Sequence, residues 1–311
     1  MHPMIFVSIA SYRDPELLAT VEDCLGRAAH PAGLHVAVLE QSPQASPIPA
    51  ALAARAGRFS YLHLDHRYSR GPCWARSMIG TYLREEPFFL QIDAHMRFDD
   101  GWDRTLLQAM QSLPSDNPRA IISSYPCAFA LEQGRAIKQP MPGHALVLRP
   151  VPGAVLAPES PVLSFHAIPT RSAQPLRGHH VGAGCLFARS SLLAEVPIDP
   201  WLYFHGEEQN LAVRAWTHGW DIWHIPDLPI YHLYHRGQDR PVHWDEQDDE
   251  ARPVRWWDLH GGAEARMRQL LYAQADLGAY GLGRVRTLEA YAAESGIDYA
   301  HRTISPPQTS G

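Results

Sequence analysis

Lysine is almost missing from this 311-residue chain: Lys138 stands alone among 27 basic residues, the rest being arginine. With 33 acidic residues the formal charge is −6, so the total offers no basic face of the kind nucleic acid requires, and no nucleic-acid partner is expected. Long apolar runs are lacking too. None approaches the roughly 20 residues of a membrane span, so no span is expected. The opening run Met4-Ile5-Phe6-Val7-Ser8-Ile9-Ala10 is too short for a secretory core and leads straight into Tyr12-Arg13-Asp14. Cysteine is scarce, with Cys24, Cys73, Cys127 and Cys185 far apart and no Cys-x-x-Cys pair. That spacing suits reduced thiols in a cytoplasmic protein better than a disulfide framework or a zinc knuckle. Histidine, by contrast, occurs 18 times. Hydrophobic residues at 45% and charged ones at 19% describe an ordinary folded chain, long enough to bury a sizeable core.

Met4 to Ile9 predicts a buried strand, and Pro15-Glu16-Leu17-Leu18 starts a helix after it. Leu34 to Leu39 and Tyr61 to Leu64 are two further strands, Ala75 to Arg84 a helix, and Pro87 to Ile92 a strand ending at Asp93. Gly101 to Leu113 is helical and Ala120 to Ser124 extended. This alternation predicts an α/β fold, a largely parallel sheet with helices on both faces. The proline-rich stretch Gln133 to Pro175 predicts a long loop with isolated strands. Gly182 to Ala188 is again a strand, Glu207 to Thr217 a helix, Asp221 to Ile225 a strand, and Ala263 to Glu294 helical.

The strand into Asp93-Ala94-His95 carries the chemistry. A parallel sheet places ligands at the carboxyl ends of its strands, and residues two apart in an extended chain point the same way. A carboxylate and an imidazole delivered together suit Mn²⁺ or a similar divalent ion. Taken alone, the pair is equally a turn cap beside a surface histidine. Its neighbours in order decide the matter: Ser11-Tyr12-Arg13-Asp14, Arg70-Gly71-Pro72-Cys73-Trp74-Ala75-Arg76, Asp93-Ala94-His95, Gly182-Ala183-Gly184, Gly206-Glu207-Glu208 entering a helix, and His232-Leu233-Tyr234-His235-Arg236.

That order resembles the GT-A class of nucleotide-sugar glycosyltransferases. The run Gly206-Glu207-Glu208 through Arg214-Ala215-Trp216 is similar to one in the polypeptide N-acetylgalactosaminyltransferases. A closer resemblance is to the cytoplasmic N-acetylglucosaminyltransferases that modify hydroxyproline in protists, and to their bacterial relatives. It spans roughly residues 4 to 300, and includes Asp93-Ala94-His95-Met96-Arg97-Phe98 with Trp102-Asp103, and Tyr280-Gly281-Leu282-Gly283 with Arg286-Thr287-Leu288.

The resemblance implies a Rossmann-like nucleotide-sugar-binding sheet in residues 1–240, with a donor half at about 1–125 and an acceptor half at about 126–240. A helical C-terminal extension, 241–304, and a mobile tail, 305–311, follow. It implies Mn²⁺ or Mg²⁺ held by Asp93, His95 and His232, with His235 in reserve. The donor, a UDP-sugar and by resemblance UDP-N-acetylglucosamine, would be bound by Ala10, Ser11, Tyr12, Arg13, Arg70, Gly71, Arg76, Asp93, Gly182 and Gly184. Retention of configuration and an α linkage are implied, to a hydroxyl acceptor on a protein, peptide, glycan or small molecule. Glu207 and Glu208 are the catalytic or substrate-positioning candidates. A helix N-terminus also stabilises either one as a cap, so their roles stay open. Ser11 to Arg13 can equally be a packed tyrosine with a surface ion pair, and Arg76 a solvated helix cation. A metal-dependent hydrolase and a non-catalytic binding module are the rival classes; no His-Glu-x-x-His motif supports the first.

Overall fold

The computed structural model describes residues 4–235, 241–244 and 250–305. Strand β1 (Ile5–Tyr12) sends Ile5, Val7 and Ile9 into one apolar core and Phe6 into another on the opposite face, the period-two pattern of a strand covered on both sides. After it come α1 (Leu17–Arg27), β2 (Leu34–Gln41), the short α2 (Ala50–Ala53), β3 (Arg58–Leu64), α3 (Pro72–Gly80) and β4 (Phe88–Asp93). β1 pairs in parallel with β2 and β4, and β2 with β3. The chain continues through β5 (Met96–Phe98), α4 (Trp102–Gln111), β6 (Ala120–Ser123), β7 (Cys127–Glu132), β8 (Arg135–Lys138), β9 (His144–Pro150) and β10 (Phe165–Arg171). Then follow β11 (Leu176–Gly178), β12 (Cys185–Arg189), α5 (Ser191–Glu195), α6 (Glu207–Thr217), β13 (Asp221–His224), β14 (Ile230–His232), α7 (Trp256–Leu271) and α8 (Leu288–Ser295).

The main sheet has the order β11-β13-β6-β12-β4-β1-β2-β3. It is mixed rather than wholly parallel, because β12 runs antiparallel to β4 and β6, and β11 to β13. β12 returns from the β7–β11 excursion through a tight turn instead of a crossover helix, which permits the reversal. α1 and α4 cover one face through Leu17, Val21, Leu25, Trp102 and Leu106. α3 and α6 cover the other through Ala75, Ile79, Ala212 and Ala215. The far side of α6, Val213 and Trp216, packs on Ala263, Met267 and Leu270 of α7 and Tyr291 of α8. α6 is therefore apolar on two faces and buried along most of its length.

Two expectations are corrected. The stretch Gln133 to Pro175 is not mainly loop: β9 and β10 form a seven-pair antiparallel ribbon. It pairs with no third strand in its own sheet, so the missing N–H groups of Pro150 and Pro169 cost it little. The helical stretch from Ala263 to Glu294 is two helices. α7 ends at Leu271, Gln274 (φ 48°) and Gly278 (φ 58°) are left-handed, and at Gly283 a Cβ would stand 2.4 Å from the Thr217 backbone, so the chain passes α6 there as bare backbone. Arg236 and residues 306–311 of the tail lie outside the described residues. Among the described residues no helix is long and apolar enough to cross a membrane.

Candidate active site

β1 and β4 end side by side, Ala10 opposite Asp93, and their carboxyl ends open into a cavity of about 340 Å³. After Asp93 the chain bends through Ala94 and His95 and enters β5 at Met96. β14 then pairs antiparallel with β5, His232 opposite Met96, and the Leu233 N–H donates to the His95 carbonyl at 3.1 Å. This pairing carries His232 across 137 residues of sequence to His95.

Asp93, His95 and His232 each present one ligand atom, all within 4.8 Å of one another. His95 Nε2 and His232 Nε2 lie 2.9 Å apart, and His232 Nε2 is 3.3 Å from Asp93 Oδ2. Two imidazole nitrogens each ~2.1 Å from one ion, at roughly a right angle, would be ~3 Å apart, so the donor set fits a single divalent cation. On the far side of the His95 ring, Nδ1 is 2.7 Å from Asp14 Oδ2. With Nδ1–H donating there, Nε2 is left as a lone pair aimed at the cavity. His235 is exposed and outside this group.

α3 starts at Gly71, whose φ of +93° and whose approach to Tyr203 (a Cβ would stand 2.4 Å from its carbonyl oxygen) both demand glycine. The helix delivers Arg76 into the cavity wall. There Nη2 donates to Asp93 Oδ1 at 2.8 Å and Nη1 to Glu207 Oε2 at 2.9 Å, while Cys73 Sγ donates to the same Glu207 oxygen at 2.8 Å. Burial alone would raise the Asp93 carboxyl; the His232 contact and the Arg76 guanidinium overcome it and hold Asp93 well below the usual carboxylate range. Glu207 goes the other way, because burial pushes it up despite Arg76. Glu208 faces the cavity with both oxygens occupied. Ala183 N–H donates to Oε1 at 2.7 Å and the Tyr125 hydroxyl to Oε2 at 2.5 Å. At Gly184 a Cβ would stand 2.5 Å from Asp93 Oδ2, so only glycine leaves that carboxylate where it is.

Of the residues singled out in the sequence, Ala10, Ser11, Tyr12, Gly71, Arg76, Asp93, His95, Gly184, Glu207, Glu208 and His232 all line this cavity. Three are placed elsewhere. Arg13 adopts a left-handed backbone (φ 48°) and donates its N–H to the Gln41 carbonyl. Arg70 is exposed over a separate hollow with Trp74 and Trp201, and Gly182 packs under the Ser124 carbonyl. The cavity also takes Asp14, Gln41, Phe204, His243 and Trp244, none of which was assigned a site role. Asp14 was within reach, as the last residue of the Ser-Tyr-Arg-Asp run; His243 and Trp244 belong to no motif. The Tyr12 hydroxyl accepts from Arg252 Nη2 at 2.5 Å, and its ring lies 5.1 Å from that of His243. Among the described lining residues, the four carboxylates Asp14, Asp93, Glu207 and Glu208 face one guanidinium, Arg76, which two of them already engage.

The sequence matches the family described as Glycosyltransferase (GlcNAc) over residues 4–59 and 49–301. This chain belongs to that family. In fold it is similar to GalNAc-T7, solved with UDP, GalNAc and Mn²⁺: the TM-score is 0.61 at 14% identity, covering 99% of this chain and 59% of that one. TarS of S. aureus gives a TM-score of 0.48 at 14% identity, covering 76% of this chain and 37% of that one. The chain thus spans 59% of the length of the GalNAc-T7 chain it matches. No curated protein matches its sequence. The architecture is GT-A, with the Asp93, His95 and His232 cluster, a donor set that could hold a metal ion, beyond the carboxyl end of β4.

Proposed function

We propose that this protein moves N-acetylglucosamine from UDP-N-acetylglucosamine to a hydroxyl group, with retention and an α linkage, and that Asp93, His95 and His232 hold Mn²⁺ or Mg²⁺ for the reaction. The observation that carries the reading is this triad set in a cavity whose fixed charge is otherwise mostly negative. Among the described lining residues, four carboxylates against one guanidinium would repel a nucleoside diphosphate, and a divalent cation held by the triad would supply the missing positive charge. When bound, that ion offsets the charge that develops on the departing diphosphate.

The chain's own residues do the positioning. Asp14 fixes the His95 ring, and Arg76 holds Asp93 ionised and aimed. Tyr12 and Ser11 offer an aromatic face and a hydroxyl at the end of β1 to the base and ribose. Gly71 and Gly184 allow the donor to approach backbone. Arg13, Arg70 and Gly182 would act from outside the cavity wall. Glu208, its carboxylate anchored, accepts hydrogen bonds from sugar or acceptor hydroxyls, while Glu207 is the buried partner of Arg76. The family's description supports the donor sugar, and GalNAc-T7, solved with UDP and Mn²⁺, supports the nucleotide and the ion. We read residues 1–240 as the catalytic unit and 241–304 as an extension packed on it, although 241–244 also line the cavity. The acceptor is a hydroxyl of a protein, peptide, glycan or small molecule, met in the cytoplasm, where the four free thiols are at home.

Incubation with UDP-N-acetylglucosamine and MnCl₂, followed by proton NMR, tests the reading. Metal-dependent release of UDP with an α-anomeric first product is expected, water serving as a slow acceptor. A β first product would overturn retention. Inertness toward every UDP-sugar, with the metal bound, would overturn the donor class.

A further inference from the structure

Tyr125 follows β6, does not line the cavity, and stands 83 residues from the carboxylate it touches. Its hydroxyl donates to Glu208 Oε2 at 2.5 Å, while the Ala183 amide, in the turn Gly182-Ala183-Gly184-Cys185, donates to Oε1 at 2.7 Å. Two observations show that the fold is arranged around this contact. At Gly182 a Cβ would stand 2.3 Å from the Ser124 carbonyl oxygen and 2.8 Å from Tyr125 Cδ1, so the first glycine of that turn lets it lie against the Ser124–Tyr125 backbone and ring, and the second leaves room for Asp93. His180, 2% exposed, closes the far side. Its Nε2 is 3.7 Å from the same Oε2, and its two ring nitrogens make no hydrogen bond among the described residues. Groups from two segments, Tyr125 after β6 and His180 with Ala183 in the β11–β12 connection, thus converge on one carboxylate of a cavity residue, and burial together with Glu208 keeps the phenol protonated far above its ordinary range.

We propose that Tyr125 is a positioning residue: its phenol fixes the Glu208 carboxylate in the one orientation that lets it receive a hydroxyl of the donor sugar or acceptor. A carboxylate tied by one donor rotates about its last side-chain bond; one tied by a donor on each oxygen does not. The inference rests on the proposed transfer reaction, in which Glu208 meets substrate.

The test compares Tyr125→Phe, Glu208→Gln and the double variant in the turnover of UDP-N-acetylglucosamine with Mn²⁺. Tyr125→Phe is expected to lower kcat about tenfold, the size of one lost hydrogen bond to an ionised group, while leaving donor KM and stabilisation by UDP with Mn²⁺ unchanged. The double variant should be no slower than Glu208→Gln alone. Unchanged kcat in Tyr125→Phe, or losses that multiply, would overturn the inference while leaving the transfer reaction standing. A wild type inert toward every UDP-sugar would instead remove the reaction on which it rests. A readout independent of turnover is the resonance of ¹³C-labelled tyrosine Cζ, identified by its disappearance in Tyr125→Phe. It should move in Glu208→Gln, and a resonance that stays put contradicts the contact.

Discussion

Arg76 answers two carboxylates at once, Asp93 in the triad and Glu207 behind it, with only 5% of its side chain exposed. A buried guanidinium is stable only while paired, and removing it strands both partners. Arg76→Met is therefore expected to destabilise the protein by about 3–5 kcal/mol in urea unfolding, with Arg76→Met/Glu207→Gln recovering part of the loss. Gly184→Ala is a sharper probe. Its methyl would press on Asp93 Oδ2 while the backbone keeps its shape, so Mn²⁺ affinity should fall about 10–100-fold with stability little changed, as calorimetric titration can show. Unaltered affinity would mean that Asp93 is not a ligand. At this scale the motif order made Asp93, His95 and His232 legible, because each stands at a strand end. Asp14 as the orienting group of His95 and Tyr125 as that of Glu208 were not. A contact 81 or 83 residues distant leaves no periodicity to find.

α6 holds the molecule together as an element, placing Glu207 and Glu208 at its start and Arg214 and Trp216, both buried, toward its end. Ala212 and Ala215 are small because the sheet lies against them, and Val213 and Trp216 are large because α7 and α8 fill the other side. Leu270→Ala on α7 removes a fully buried side chain from that second interface and should cost 2–5 kcal/mol, on the order seen for such cavities, read from the urea midpoint. The alternation of strands and helices to residue 125 was legible because each strand is a buried, β-branched or aromatic run. The β9–β10 ribbon was not, since its prolines mimic a loop and its pairing partner lies beyond a connection that has no pattern of its own. The break between α7 and α8 was passed over although its segment holds Gly278, Gly281 and Gly283, and the chain leaves helical geometry already at Gln274 (φ 48°).

Across the whole molecule, buried histidines tie stability to pH. His224 is fully buried, its Nδ1 2.7 Å from the Ser123 carbonyl, and burial pushes its pKa down to about 4 from an ordinary 6.5. The unfolded chain takes up that proton first as pH falls. The contribution is therefore full above pH 6.5 and is lost progressively from pH 6.5 to 4, on the order of 3 kcal/mol at ~1.4 per pKa unit. His180, also lowered by burial, adds to the same slope. Urea midpoints at pH 7, 5.5 and 4.5 should decline, and His224→Asn should flatten the decline; an equally steep fall in the variant would contradict the assignment. The opening scarcity of lysine has its counterpart here as well. Among the described lining residues the cavity holds one committed arginine and four carboxylates, so on the proposed reading its affinity for a diphosphate is expected to depend on an ion rather than on a side chain.

Thermal unfolding with UDP reads that dependence without an acceptor or a turnover assay. At 100 times the dissociation constant a ligand specific for the folded state adds about 2.7 kcal/mol, a rise of several degrees in Tm. The account predicts this rise for UDP with Mn²⁺, none for UDP with chelator, and none in His95→Ala under either condition. Equal stabilisation by UDP with and without the metal, or full stabilisation of His95→Ala, would contradict it.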